Sequence, residues 1–228
     1  GETLAVLLER FRLEENFGTE ILITYAGRLD PMAEGKILLL VGDARFEKHS
    51  YMAQSKTYKF TVLFGVATDT YDVLGKITNF SNREIDENKL IEVVEKIKKT
   101  RLPYPMFSSK TIKGKPLFLY ARENRGVAEM PMQNGQPQTL EKTKEETISL
   151  GELIKKIVVD IQKVKGDFRQ QEIILGWQKL AEGSPNLKLK MVTFTTVVPS
   201  GTYIRSIAHY LGEEIGIPAL AYSIVRTK

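Results

Sequence analysis

Asp30 lies in the turn Ala26-Gly27-Arg28-Leu29-Asp30-Pro31, between two apolar segments, Ile21-Leu22-Ile23 and Ile37 to Val41. A carboxylate there can be held partly desolvated and poised as a nucleophile. Asp-Pro is also ordinary turn chemistry, so Asp30 equally opens a turn before Pro31. Arg205 stands at the start of an apolar-periodic stretch, beside Gly201-Thr202-Tyr203, with Ile204 on the core side. That sets a fork of donors at the core boundary, where it can grip a carboxylate at two points. A surface arginine is the plainer alternative. Tyr58 shares a strand face with Phe60 and Val62, which on local grounds makes it a core aromatic. Between Phe107 and Lys115, the cations Lys110, Lys113 and Lys115 are interleaved with an aromatic and small hydroxyls. This suits phosphate contact as well as it suits a solvated loop. Asp69 and Asp72 are two carboxylates without further ligands, which fits an Asx-type turn better than a metal site.

The chain has no cysteine, so a disulfide framework, a thiolate zinc site and a cysteine nucleophile are excluded. His49 and His209 stand far apart and make a poor basis for a metal site or a serine–histidine triad. No Walker loop and no dinucleotide fingerprint is present, and the reading assigns no metal and no cofactor. With 33 Lys and Arg against 28 Asp and Glu, the net charge is +5, compatible with a phosphate backbone as partner. No apolar run of about 18 residues suggests a membrane span, and the composition fits the cytoplasm.

These residues need elements to position them. Leu4, Leu7, Leu8 and Phe11 share a helical face within residues 2–15. Lys56 to Phe64 alternates as a strand, ends at Gly65, and is followed by a polar turn over 68–72. Asp86 caps a helix reaching about Lys99, with Leu90, Ile91, Val94 and Ile97 as its stripe. Residues 101–116 read as an exposed loop and 123–147 as a mobile polar excursion. Lys156 to Val164 looks strand-like and leads to Asp167, the cap of a helix at about 167–182 that carries Ile173, Trp177 and Leu180. Residues 187–198 form a β-branched strand, and a last helix runs from near Thr202 to its C-cap, Gly216. Strands and helices do not alternate regularly. The expected class is therefore α+β, with a mixed or antiparallel central sheet flanked by helices and loops, in one domain over 1–228.

Together the segments resemble the TruB family of pseudouridine synthases. Gly27-Arg28-Leu29-Asp30-Pro31-Met32-Ala33-Glu34-Gly35 is similar to its G-x-L-D-P-x-A-x-G loop, and Lys56-Thr57-Tyr58 to its K-x-Y strand. Gly65, Thr68-Asp69-Thr70-Tyr71-Asp72 and Gly75 resemble its G-x-x-T-D-T-x-D-x-x-G segment. Pro103, Pro105, Ser108 and Lys110, then Ala121-Arg122, resemble its P-P-x-x-S-A-x-K loop and following A-R. Gly201-Thr202-Tyr203-Ile204-Arg205 resembles its G-T-Y-I-R helix.

The resemblance implies the pseudouridine synthase fold and a cofactor-free isomerisation of uridine in RNA, with the T-loop uridine of tRNA as target. Asp30 would act at the ribosyl C1′ with Arg205 as its partner, and Tyr58 would stack on the uracil and take part in proton removal. Asp72 and Tyr203 would hold or stack the base, Ile224 would close the pocket, and Tyr25, Arg28 and Lys110 would contact RNA. The Lys-rich loop and the 123–147 excursion would grip the tRNA T-arm, and the protein would act as a monomer. The chain departs from the pattern at Tyr25-Ala26-Gly27, where the family has His-Thr-Gly, and at Arg28, where it has a small residue. Val225 stands where an arginine is common, with Arg226 next to it. A helix within 165–190 is an addition, and the expected chain lacks a C-terminal PUA-type domain, with weaker RNA affinity as the consequence. The alternatives are an RNA-binding, tRNA-folding chaperone of the same fold and a hydrolase using Asp30 on another substrate.

Overall fold

The computed structural model describes residues 2–228. The N-terminal part runs α1 (Leu4–Glu14), β1 (Ile23–Ala26), β2 (Ala33–Gly35), β3 (Leu38–Val41), a 3-10 turn (Gly42–Glu47) and α2 (Lys48–Ala53). The middle runs β4 (Lys56–Phe64), β5 (Val66–Thr68), β6 (Ile77–Phe80), α3 (Glu87–Ile97), β7 (Thr111–Ile112), β8 (Lys115–Pro116) and α4 (Leu117–Arg122). The remainder runs β9 (Thr139–Ser149), α5 (Leu150–Gln162), α6 (Gln170–Ala181), β10 (Lys188–Val198), α7 (Ile204–Ile215) and β11 (Ala219–Arg226).

A five-stranded sheet, in the order β2-β11-β4-β10-β9, is the centre of the molecule. Only the β2–β11 pairing is parallel, so the sheet is mixed, as expected for the α+β class. Alternation along β4 sorts its side chains onto two faces. Phe60, Val62 and Phe64 meet α3 and α7 on one face, while Leu63 with Met191 and Leu189 meets α5 and α6 on the other. Phe60 stacks on Phe194 of β10 at 5.6 Å. α3 is capped by Asp86, whose carboxylate accepts from the amides of Asn88 and Lys89. α7 buries Ile204, Ile207, Ala208, Leu211 and Ile215 and ends at Gly216, whose φ of 82° suits a residue without Cβ.

Four expectations are corrected. The expected strand over 156–164 is instead the second half of α5, through Gln162, with its C-terminal cap; the helix buries Leu150, Leu153, Ile154, Ile157 and Ile161 at helical spacing. The β-branched run near 157–159 imitates a strand locally, yet Val159 points to solvent at 51% exposure. The end of the 123–147 stretch is strand β9, bonded along β10 at the sheet edge. Its alternating Lys and Glu are the charged outer face of an edge strand, which discourages pairing with a further chain. Upstream, buried Gln133 is anchored through Nε2 to the carbonyl of Pro103 at 2.9 Å. Residues 101–116 are not an exposed loop either, since Leu102, Tyr104 and Ser108 are buried and a β7–β8 hairpin follows. α6 starts two residues later than an Asp167 cap would place it, with Arg169 as its N-cap residue.

Candidate active site

Asp30 sits where the chain turns from β1 into β2, in a turn closed by the amide of Ala33 donating to the carbonyl of Asp30 at 2.9 Å. β2 pairs in parallel with β11, so this loop is fixed to the edge of the main sheet. At Gly35 a Cβ would lie 2.2 Å from the carbonyl oxygen of Arg226, so only glycine allows that approach. Arg205 belongs to the first turn of α7 and is 4% exposed. Its Nε donates to Asp30 Oδ2 at 2.7 Å and its Nη2 to Asp30 Oδ1 at 3.1 Å. The carbonyl of Thr70 accepts from Nη1 at 2.7 Å and that of Phe107 from Nη2 at 3.1 Å. Burial alone would lower the guanidinium's pKa, but the charges of Asp30 and Asp72 raise it, so the cation is secure.

Asp72 closes the buried side. Its Oδ1 accepts from Thr70 Oγ1 at 2.6 Å and from the amide of Leu74 at 3.0 Å, and its Oδ2 lies 3.7 Å from Arg205 Nε. Burial pushes this carboxyl up; Arg205, Thr70 and Leu74 oppose the shift, and the charge of Asp30 adds to it. The turn is tight because Gly75 packs where a Cβ would stand 2.3 Å from Thr70 Oγ1. Tyr58 is placed by register, opposite Arg226 on β11 and Thr196 on β10. Burial raises its phenol, Arg226 pulls it back, and the charge of Asp30 adds to the rise. The phenol is therefore protonated at neutral pH.

These groups line a cleft of about 1230 Å³. Tyr25, Arg28, Asp30, Tyr58, Asp72, Tyr203, Arg205 and Ile224 all border it. Tyr25 lies at the mouth, with Lys48 Nζ 5.0 Å from its ring and Arg28 Nε donating to its hydroxyl at 3.1 Å. Tyr203 presents its ring to Arg205 at 5.5 Å, and its amide donates to Gln133 Oε1 at 2.9 Å. Lys110 does not border the cleft. Its ammonium sits 5.2 Å from the ring of Tyr104, which meets Tyr203 edge-on at 5.5 Å. The Lys-rich segment bears on the site through Phe107 and Ser108 instead.

Several bordering groups had no signal in the sequence. The carbonyls of Thr70 and Phe107 that hold Arg205 are backbone atoms. Arg226, which the sequence marks only as the neighbour of Val225, is set opposite Tyr58 by the register of β11 on β4; it is 4% exposed, with its Nε donating to the carbonyl of Lys36 at 2.6 Å. Lys56 and Arg122, which stand in two of the family-like motifs, border the cleft with Arg28 and Lys48, and so does Arg169, for which the sequence offers no sign. The cleft thus has two carboxylates and a guanidinium held by four hydrogen bonds at its floor, aromatic faces on its walls and cations at its rim. A planar base on a polyanion fits that pattern. Among the described residues, no group of three or more His, Cys, Asp or Glu side chains could hold a metal ion. No helix among them is long and apolar enough to cross a membrane.

A family model described as TruB family pseudouridylate synthase (N terminal domain) matches residues 16–166. The chain is 27% identical over 207 residues to tRNA pseudouridine synthase B of Caldicellulosiruptor saccharolyticus, covering 90% of this chain and 57% of that protein. It is 28% identical over 205 residues to the protein of the same name from Aquifex aeolicus, again covering 90% of this chain and 57% of that one. Over 109 residues it is 37% identical to tRNA pseudouridine synthase B of Malacoplasma penetrans, covering 46% of this chain and 47% of that protein. The chain therefore matches about half the length of these relatives. Among solved structures it is similar in fold to the archaeal box H/ACA sRNP Nop10-Cbf5 complex, with a TM-score of 0.52, 14% identity, and cover of 100% of this chain and 44% of that one.

Proposed function

The chain belongs to the TruB family of pseudouridylate synthases, and on that premise we propose that it isomerises uridine to pseudouridine in RNA, with the T-loop uridine of tRNA as substrate. The observation that carries this reading is the two-point pairing of Arg205 with Asp30 on the floor of a cation-rimmed cleft. The names of the relatives, tRNA pseudouridine synthases, support RNA as the substrate class.

In this reading the target nucleotide leaves its stack to enter the cleft, at a cost of a few kcal/mol. Arg28, Lys48, Lys56 and Arg122 at the rim hold the flanking phosphates. Asp30 acts at the ribosyl C1′ as the bond from C1′ to N1 breaks. The freed uracil turns, C1′ rejoins at C5, and the C5 hydrogen leaves as a proton while N1 gains one. Atoms and electrons balance without oxidant, reductant or cofactor. Arg205 pairs with Asp30 at two points and aims it, Tyr58 and Tyr203 offer ring faces to the base, and Ile224 forms the apolar side. The protonated phenol of Tyr58 passes a proton through hydrogen bonds and does not serve as a free phenolate. The working unit in this reading is a monomer, a single catalytic domain over residues 1–228, and a cysteine-free chain is in keeping with the cytoplasm.

The test is to incubate the protein with an unmodified tRNA transcript and map carbodiimide-dependent stops in primer extension. A single new stop in the T-loop is expected. Stops elsewhere would move the substrate assignment, and none at all would remove it.

A further inference from the structure

Arg169 borders the cleft just beyond the last residue of the family match, 166, and has no part in the chemistry above. It is the N-cap residue of α6, in the left-handed region at φ 62°, a conformation unfavourable for a side chain of this size. Strain of this kind persists where surrounding contacts over-determine it. Here those contacts are specific. Nη1 donates to Asp69 Oδ2 at 2.7 Å and Nη2 to Asp69 Oδ1 at 3.3 Å. The same guanidinium lies over the ring of Phe107 at 4.6 Å.

Both contacts lead to Arg205. The carbonyls that hold its terminal nitrogens belong to Thr70, the chain neighbour of Asp69, and to Phe107 itself. Asp69 is also fixed to the turn, its Oδ1 accepting from the amide of Lys76 at 2.8 Å. One arginine therefore ties together the two loops that bracket another. We propose that Arg169 is a positioning residue that holds those two carbonyls in place, and through them aims Arg205 and Asp30. The geometric part stands alone; its kinetic consequence rests on the isomerase reading. The ion pair is partly buried, with the two side chains 29% and 25% exposed, so it is held in one geometry against the site.

Arg169→Gly is the informative variant, because glycine accepts the left-handed backbone and removes only the side chain. Asp69→Asn breaks the same pair from the other side and serves if the glycine variant folds poorly. Two readouts apply to each. The first is hydrogen exchange at Nε of Arg205, followed by NMR with labelled arginine and assigned with Arg205→Lys. The second is the rate of tritium release from uracil-C5-labelled tRNA at saturating RNA, alongside Kd. We expect exchange roughly tenfold faster and kcat roughly tenfold lower, with Kd nearly unchanged, as for small misplacements of a catalytic group. Unchanged exchange in a folded variant overturns the proposal. So does a raised Kd with unchanged kcat, which would make Arg169 a phosphate contact. If the wild type releases no tritium, the isomerase reading falls, while exchange at Arg205 still decides the positioning role.

Discussion

Arg205 meets Asp30 with two arms of its fork, Nε on Oδ2 at 2.7 Å and Nη2 on Oδ1 at 3.1 Å, joining the β1–β2 loop to the last helix. Lysine keeps the charge but offers one point of contact. Arg205→Lys is therefore expected to lower kcat by roughly 100-fold, the scale of a misplaced catalytic group, with little change in RNA affinity. Arg205→Met removes the charge and leaves Asp72 buried without its cation, which should cost about 3–5 kcal/mol in urea unfolding. Near-native kcat in the lysine variant would contradict the two-point role.

Asp72 makes stability depend on pH. Its carboxyl is raised above the ordinary 3.8, chiefly by burial, so the folded state holds this proton to higher pH than the unfolded chain. The stability tied to the protonated form is fully present below the unfolded value and is lost as pH rises through the folded one. Asp72→Asn removes this titration. Its stability relative to wild type should improve steadily as pH is raised from about 4 towards neutrality, the window opened by a raised carboxylate. Melting temperatures of both proteins across that range check it, and a constant difference would contradict it.

Tyr58 joins a ring face to a protonated hydroxyl. Tyr58→Phe keeps the face and should retain RNA binding, because stacking on an aromatic ring needs no hydroxyl. If the phenol passes a proton, turnover falls by roughly 100-fold or more, the range for general acid–base groups. Single-turnover rates with a Kd measured on the same RNA separate the two effects; equal rates in both proteins would leave Tyr58 a stacking surface only.

Trp177 fastens α6 to the turn behind the site. It is fully buried, and its Nε1 donates to the carbonyl of Val73 at 3.1 Å, one residue from Asp72. Trp177→Ala should cost about 3–5 kcal/mol through the cavity it leaves. Trp177→Phe fills most of the space but strands the carbonyl, at about 1–3 kcal/mol. Chemical denaturation of the two variants orders the terms, and an alanine variant as stable as wild type would contradict the packing.

The sequence was legible where one signal dominated. β4 alternates cleanly, α3 has a side-chain cap, and α7 combines a helical stripe with a left-handed glycine. α5 was misread because Ile157, Val158 and Val159 favour strands locally, whereas the period that decides spans Leu150 to Ile161. β9 was missed because an edge strand shows charge on its open side, and its buried residues, Leu140 and Ile148, are far apart. β11 escaped notice although it sets Arg226 beside Tyr58. In the site, Asp30 and Arg205 each read locally as a turn residue and a surface cation, and only the order of motifs joined them. The carbonyls of Thr70 and Phe107 have no side-chain signature, and Arg169 owes its place to a backbone conformation that its residue type disfavours. Lys110 shows the converse, a motif residue that packs on Tyr104 outside the cleft.

The central claim, that Asp30 drives isomerisation, is tested most directly by tritium release from tRNA labelled at uracil C5, comparing wild type with Asp30→Asn. Moving the glycosidic bond to C5 must expel that hydrogen. The account predicts release by the wild type and none above background by Asp30→Asn, which still binds the RNA. Equal release by both proteins, or binding without release by the wild type, would contradict it.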